Sequence, residues 1–228
     1  MTSKPPSPLI SDQILPERIR ELVRSERPII LDVGANDGMQ TLQFLSLFPG
    51  ATVYAFEPDP RALAKFRANV ADPRVRLFEG ALGSIDGEAE FHVSSGLPPG
   101  VPQGEIEKSP GGWDRSGSLR VPKSHKEIWP WCKFESKITV QVKRLDTWAR
   151  ENAIETVDFL WADVQGAEGD LISGGAETLS RTRYFYTEYS NKEWYEGQVS
   201  LQQIFGMLRD FIILDLFPMD VLLKNTGL

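Results

Sequence analysis

The sequence predicts a doubly wound α/β fold: an open, mostly parallel sheet with helices on both faces. Two observations carry the prediction. Short apolar runs rich in branched residues alternate with amphipathic stretches at helical spacing along the 228 residues, giving strand, helix, strand, helix, strand. Acidic residues recur where those runs end, the edge at which open α/β sheets bind ligands.

The first run, residues 29–33, is too short for a helix and reads as a central strand covered on both faces. It breaks into Gly34-Ala35-Asn36-Asp37-Gly38, where glycines remove Cβ atoms as the backbone turns and approaches something closely. Met39, Leu42, Leu45 and Phe48 follow every three positions, predicting a helix with one buried stripe. A ligand would therefore sit at the strand end, against the helix N-terminus.

The spacing selects the ligand. A dinucleotide fingerprint needs glycine at the first, third and sixth positions of the turn, which here are Gly34, Asn36 and Met39. Asp32 and Asp37 flank the turn, an arrangement that repels pyrophosphate and suits an ammonium or sulfonium group. A second strand over 52–56 ends in Glu57-Pro58, where a carboxylate can accept both hydroxyls of a ribose. Adenosine with a cationic amino-acid tail describes S-adenosylmethionine.

Further on, Asp59-Pro60 is an N-cap followed by proline at the first helical position, with Leu63, Phe66 and Val70 as that helix's buried stripe. Residues 75–78 make a third strand. Gly80-Ala81-Leu82 then offers either a small apolar bed for adenine, with Ala81 at its centre, or a tight strand exit. The turn at 84–87 predicts a hairpin into an alternating strand over 87–93. Residues 94–135 are irregular, and Trp113, Trp129 and Trp131 favour a substrate lid over a variable surface insertion, because they can stack on a substrate.

Residues 138–142 alternate as a strand, and Arg144-Leu145-Asp146 leads into a helix through about Asn152. The strand over 157–161 runs into Asp163-Val164-Gln165-Gly166-Ala167-Glu168, followed by one helix carrying Leu171, Ile172 and Leu179. A strand over 184–189 brings Glu188 to the same edge, unless it pairs with Arg183 or Lys192. One more helix carries Leu201, Ile204, Phe205 and Leu208, and 211–216 with 220–223 close the sheet as an antiparallel pair.

The net charge of −7 gives no basic footprint, so neither nucleic acid nor an anionic membrane is an expected partner. Cys132 is the single cysteine and has no internal disulfide partner, consistent with a reducing compartment. The N-terminus lacks an apolar leader core and no apolar run approaches a membrane span, so a cytoplasmic location is expected. Residues 1–27 read as an N-terminal extension, loose over its first ten and then helical through Ile14, Ile19, Leu22 and Val23. Residues 28–228 read as one domain.

With these segments in place, the chain resembles the FkbM family of S-adenosylmethionine-dependent methyltransferases over roughly residues 28–217. The resemblance rests on Leu-Asp-Val-Gly-Ala-Asn-Asp-Gly at 31–38, Ala-Phe-Glu-Pro at 55–58, Gly-Ser-Leu at 117–119, Val-Lys-Arg-Leu-Asp-Thr at 142–147 and Asp-Val-Gln-Gly-Ala-Glu at 163–168. It implies a class I methyltransferase fold, a Rossmann-like three-layer sandwich with a seven-stranded sheet whose last strand is antiparallel. It also implies methylation of a hydroxyl oxygen on a small-molecule acceptor, a sugar or natural product. Carried over by position, Asp32, Gly34, Asn36 and Gly38 would line the methionine part of the cofactor, Glu57 would hold its ribose, and Asp163 and Glu168 would stand between cofactor and acceptor. The sequence departs from the commoner family form at Trp161, often lysine, and at Gln165, often glutamate.

A sugar hydroxyl is nearly neutral at pH 7, so methyl transfer needs a base to remove its proton as the oxygen attacks. Asp163 is the first candidate, followed by His125 and Glu188. Asp163 could instead cap the following helix, and Glu168 could be held there by the helix dipole alone. His92 reads as structural and His125 as exposed. Asp163, Glu188 and Asn191 could offer oxygens to a divalent cation, but no dense acidic cluster calls for one, and no metal is expected. Two rival readings are a nucleotide-sugar or NAD-linked Rossmann enzyme and a non-catalytic methyltransferase-like binding module.

Overall fold

A computed structural model of the chain describes residues 12–102 and 111–228. The expected loose segment over 1–10 lies outside the described residues, as does the stretch 103–110 of the expected lid. In chain order the described elements are α1 (Pro16–Leu22), β1 (Ile29–Val33), α2 (Met39–Leu47), β2 (Thr52–Phe56), α3 (Pro60–Asn69), β3 (Val75–Phe78), β4 (Ala81–Gly83) and β5 (Gly87–Gly96). They continue with α4 (His125–Ile128), β6 (Cys132–Arg144), α5 (Leu145–Glu151), β7 (Val157–Ala162), α6 (Glu168–Gly174), α7 (Ala176–Ser180), β8 (Thr182–Glu188), α8 (Leu201–Met207), β9 (Phe211–Leu216) and β10 (Asp220–Asn225).

Seven strands form the main sheet in the order β3-β2-β1-β7-β8-β10-β9. β1 pairs in parallel with β2 and β7, while the last strand, β10, runs antiparallel to both β8 and β9. Because the order reverses between β1 and β7, their carboxyl ends open a crevice at the topological switch point. One face of the sheet buries Leu31, Leu160, Phe185 and Leu223 with Trp148 of α5 and Ile204 of α8. The other buries Ile30, Phe159 and Tyr186 with Ile19 of α1 and Phe44 of α2. Strands covered on both faces explain why their sequences are continuous apolar runs.

Four details depart from the sequence expectations. Met39 is exposed, and α2 faces the core through Thr41, Phe44 and Leu45 instead. The turn at 84–87 does not close a hairpin: β4 and β5 both pair with β6, which lies between them in a second, three-stranded sheet. β6 also starts at Cys132, inside the stretch expected to be irregular. Finally, the helix expected through Leu171 and Leu179 is two helices, α6 and α7. A Cβ on Gly174 would lie 1.9 Å from the Gly83 carbonyl, so the chain passes against β4 there.

Candidate active site

A cleft of about 310 Å³ opens at the carboxyl ends of β1, β2 and β7, within the range of small-molecule sites. Gly34, Ala35, Asn36, Glu57, Pro58, Ala81, Trp161 and Asp163 line it. Its outer wall comes from the long insertion, through Asp114, Arg115, Gly117 and Leu119.

The β1 turn is held by its neighbours. The Gly34 and Ala35 amides donate to the Phe56 carbonyl, and the Asp163 amide donates to the Val33 carbonyl. Gly34 has φ +88°, and a Cβ there would lie 1.9 Å from the Asp163 carbonyl oxygen, so only glycine allows β1 and β7 to meet at this point. Gly38 lies behind the cleft instead of lining it, and a Cβ on it would meet Val70 and Phe66. Asp32 is likewise buried one layer back. It accepts a hydrogen bond from the Thr41 hydroxyl at 2.5 Å, its other oxygen has no partner among the described residues, and burial raises its pKa to about 7.

Glu57 faces the cleft with its carboxylate already oriented: the Asn36 amide donates to one oxygen at 2.8 Å and the Asp59 amide to the other at 2.7 Å. Burial still raises its pKa to about 8. Ionised, each oxygen keeps acceptor capacity beyond the backbone bond, which is what a vicinal diol requires.

Asp163 and Glu188 come together. The Gln165 side-chain nitrogen donates to Asp163 at 2.6 Å and to Glu188 at 3.1 Å. Burial raises the pKa of both, and the Asp163 charge pushes Glu188 up further, making Asp163 the more acidic of the two. Arg183 lies 3.5 Å from Asp158 and leaves Glu188 to this pair. Glu168 is buried behind it, accepts the Gly166 amide with one oxygen, and has a pKa raised to about 7 by burial.

His125 is not where the sequence placed it. It is buried, packed among Trp129, Phe134 and Tyr195, and does not line the cleft. Burial lowers its pKa to about 4, so it is neutral at pH 7. Burial also lowers the pKa of His92, whose backbone bridges to Ser118. The three insertion tryptophans pack edge-on away from the cleft, Trp113 against Trp131 and Trp129 against Trp194. The indole that lines the cleft is Trp161, 4.3 Å from the Tyr186 ring.

The sequence reading missed how the insertion reaches the cleft. Asn36 donates to the Asp114 carbonyl, Lys65 pairs with the Asp114 carboxylate at 2.6 Å, and Arg115 pairs with Asp37 at 2.9 Å. Tyr195 was missed too: its hydroxyl lies 2.9 Å from the Ser116 carbonyl and 3.1 Å from the Gln165 amide oxygen. No local pattern marks either set, because each contact joins segments far apart in the chain.

Comparison with known proteins agrees with this architecture. The family model described as methyltransferase FkbM domain matches residues 32–213. The chain is 44% identical over 216 residues to the 2-O-methyltransferase NoeI of Sinorhizobium fredii, an alignment covering 92% of this chain and 85% of that protein. It is 29% identical over 161 residues to the methyltransferase sdnD of Sordaria araneosa, covering 64% of this chain and 60% of that one. In three dimensions it matches the crystal structure of the methyltransferase FkbM from Methylobacillus flagellatus with a TM-score of 0.52 at 14% identity. That superposition spans 92% of this chain and 50% of the other.

Proposed function

The chain belongs to the FkbM methyltransferase family, and from that premise we propose that it takes S-adenosylmethionine into the cleft and moves the methyl group to a hydroxyl of a sugar or natural product. The observation that carries this reading is the pairing of Glu57 with the glycine turn at one end of the cleft and Asp163 at the other. Glu57 would hold the ribose hydroxyls, Gly34 to Asn36 would border the amino-acid tail, and Ala81 would bed the adenine. The Glu57 oxygens, each keeping acceptor capacity beyond its backbone hydrogen bond, fit the two hydroxyls of a ribose.

When bound, S-adenosylmethionine supplies an electrophilic methyl group on a sulfonium. Asp163 would take the acceptor's O–H proton as the hydroxyl oxygen attacks that methyl group. The remaining rate comes from alignment of the three reacting atoms by Trp161 and the insertion wall. The rhizobial relative is named a 2-O-methyltransferase, which supports a hydroxyl oxygen as the acceptor atom here. Residues 111–119 then close the site as part of the expected substrate lid over 94–135, and 28–228 act as one catalytic domain.

Titration calorimetry with S-adenosylmethionine and its demethylated product tests the cofactor, and mass spectrometry with labelled cofactor and a panel of glycosides tests the acceptor. Binding that Glu57→Ala weakens at least tenfold, with one methyl gained by a glycoside, is the expected result. Absence of heat with either ligand overturns the reading.

A further inference from the structure

Between the cleft and the insertion, the loop after β7 takes two successive left-handed residues, Gln165 at φ +51° and Gly166 at φ +91°. Non-glycine residues seldom adopt this conformation, and where they do the surrounding structure enforces it. Here the enforcement is visible. The Ser118 hydroxyl donates to the Gln165 carbonyl at 2.7 Å, and the Tyr195 ring lies so close to Gly166 that a Cβ there would sit 2.8 Å from it. The backbone is thus clamped to aim the Gln165 side chain at Asp163 and Glu188.

A glutamine amide has two N–H donors and one oxygen. Both donors serve the two carboxyl groups, so the oxygen needs a donor of its own, and the Tyr195 hydroxyl stands 3.1 Å from it. That contact decides the rotamer. Without it the amide could rotate, presenting its oxygen to two carboxyl groups and losing both bonds. Tyr195 is fully buried and packed by His125 and Phe134, so its hydroxyl has a fixed position.

We propose that Tyr195 is a positioning residue: by fixing the Gln165 amide it holds Asp163 and Glu188 as a carboxyl pair sharing one proton, which keeps Asp163 ionised to receive the acceptor's proton. This rests on the function proposed above only for the identity of the proton donor; the arrangement itself is a property of the ligand-free protein. The same tyrosine hydroxyl lies 2.9 Å from the Ser116 carbonyl of the insertion. Having one hydrogen for two acceptors, it ties the state of the pair to the placement of the wall. The groups that face the pair are Asp32 from β1, Glu168 from α6, Tyr186 from β8, Asp220 from β10 and Arg115 from the insertion. Arg115 is the cation among them, so Gln165 is the neutral donor that keeps both acids close without a second positive charge.

The test is a carbon-13 carboxyl NMR titration of the ligand-free protein, with the two resonances assigned through Asp163→Asn and Glu188→Gln. Tyr195→Phe keeps the ring against Gly166 and removes only the hydroxyl. The lower titration step of the pair is expected to move up by about one pH unit, since lost donor bonds disfavour the carboxylate. Gln165→Leu is expected to give a shift of the same sign, and the double variant no more than Gln165→Leu alone. A lower step that stays in place in Tyr195→Phe, or shifts that add in the double variant, overturns the proposal. If Tyr195→Phe does not fold, Gln165→Leu carries the test: an unmoved step there overturns it too. Failure of the protein to bind S-adenosylmethionine would instead sink the proposed function and leave the titration standing.

Discussion

Asp163 and Glu57 are both carboxylates at the end of a strand, yet their surroundings assign them different work. Glu57 is fixed by two backbone amides and faces the glycine turn, so its loss removes hydrogen bonds to a ligand. Asp163 is fixed by a side-chain amide and stands beside a second acid. Asp163→Asn keeps the size and the capacity to accept a bond, and is expected to leave cofactor affinity within about threefold while lowering kcat by roughly 10²–10⁴. Calorimetry paired with single-turnover kinetics separates the two effects, and an unchanged kcat would remove Asp163 from the base role. His125 shows why side-chain type alone misleads. A histidine between two lysines reads as exposed, but its neighbours in space are three aromatic rings supplied by Trp129, Phe134 and Tyr195.

At the scale of elements, the first half of the main sheet was legible because each strand pairs with one close in sequence and is bounded by turn residues. The predicted bounds of β1, β2 and β3 coincide with the observed ones. The second sheet was not legible, because β6 enters between β4 and β5 from about fifty residues downstream, and no local signal sets that register. The break between α6 and α7 has the same origin. Gly174 abuts the Gly83 backbone, so Gly174→Ala would force α6 away from β4 and is expected to cost about 3 kcal/mol, read as a fall of roughly 6–12 °C in Tm. Asp146 in the first turn of α5 reaches across to α7, accepting from the Glu177 and Thr178 amides and the Thr178 hydroxyl. Asp146→Ala should therefore destabilise by about 1–2 kcal/mol in chemical denaturation, as loss of an N-cap does, although the residue belongs to a different helix.

Over the whole molecule, the acids buried at the mouth of the sheet set a pH dependence of stability. Burial raises Asp32 and Glu168 to about 7, Glu57 to about 8 and Asp220 to about 7. In the unfolded chain the same groups release their protons near pH 4. Between about pH 4 and pH 8 the folded state therefore binds more protons than the unfolded state, and stability falls as pH rises through that window. Asp72 and His125 act in the opposite sense. Asp72, held at about 2 by its hydrogen bonds to Arg74, has its window below pH 4. The one proton that buried His125, lowered to about 4, gives up between about pH 4 and 6.5 is outweighed by the four acids. Scanning calorimetry of the ligand-free protein should accordingly give a Tm that declines from pH 5 towards pH 8. Glu57→Gln, which cannot ionise, should make that decline shallower. A sulfonium ligand favours ionised carboxylates, so the Tm gain it produces should grow over the same range, whereas the neutral thioether product should give a gain that varies less. A ligand-free Tm that rises from pH 5 to pH 8 would mean that these carboxylates are solvated and not buried as described.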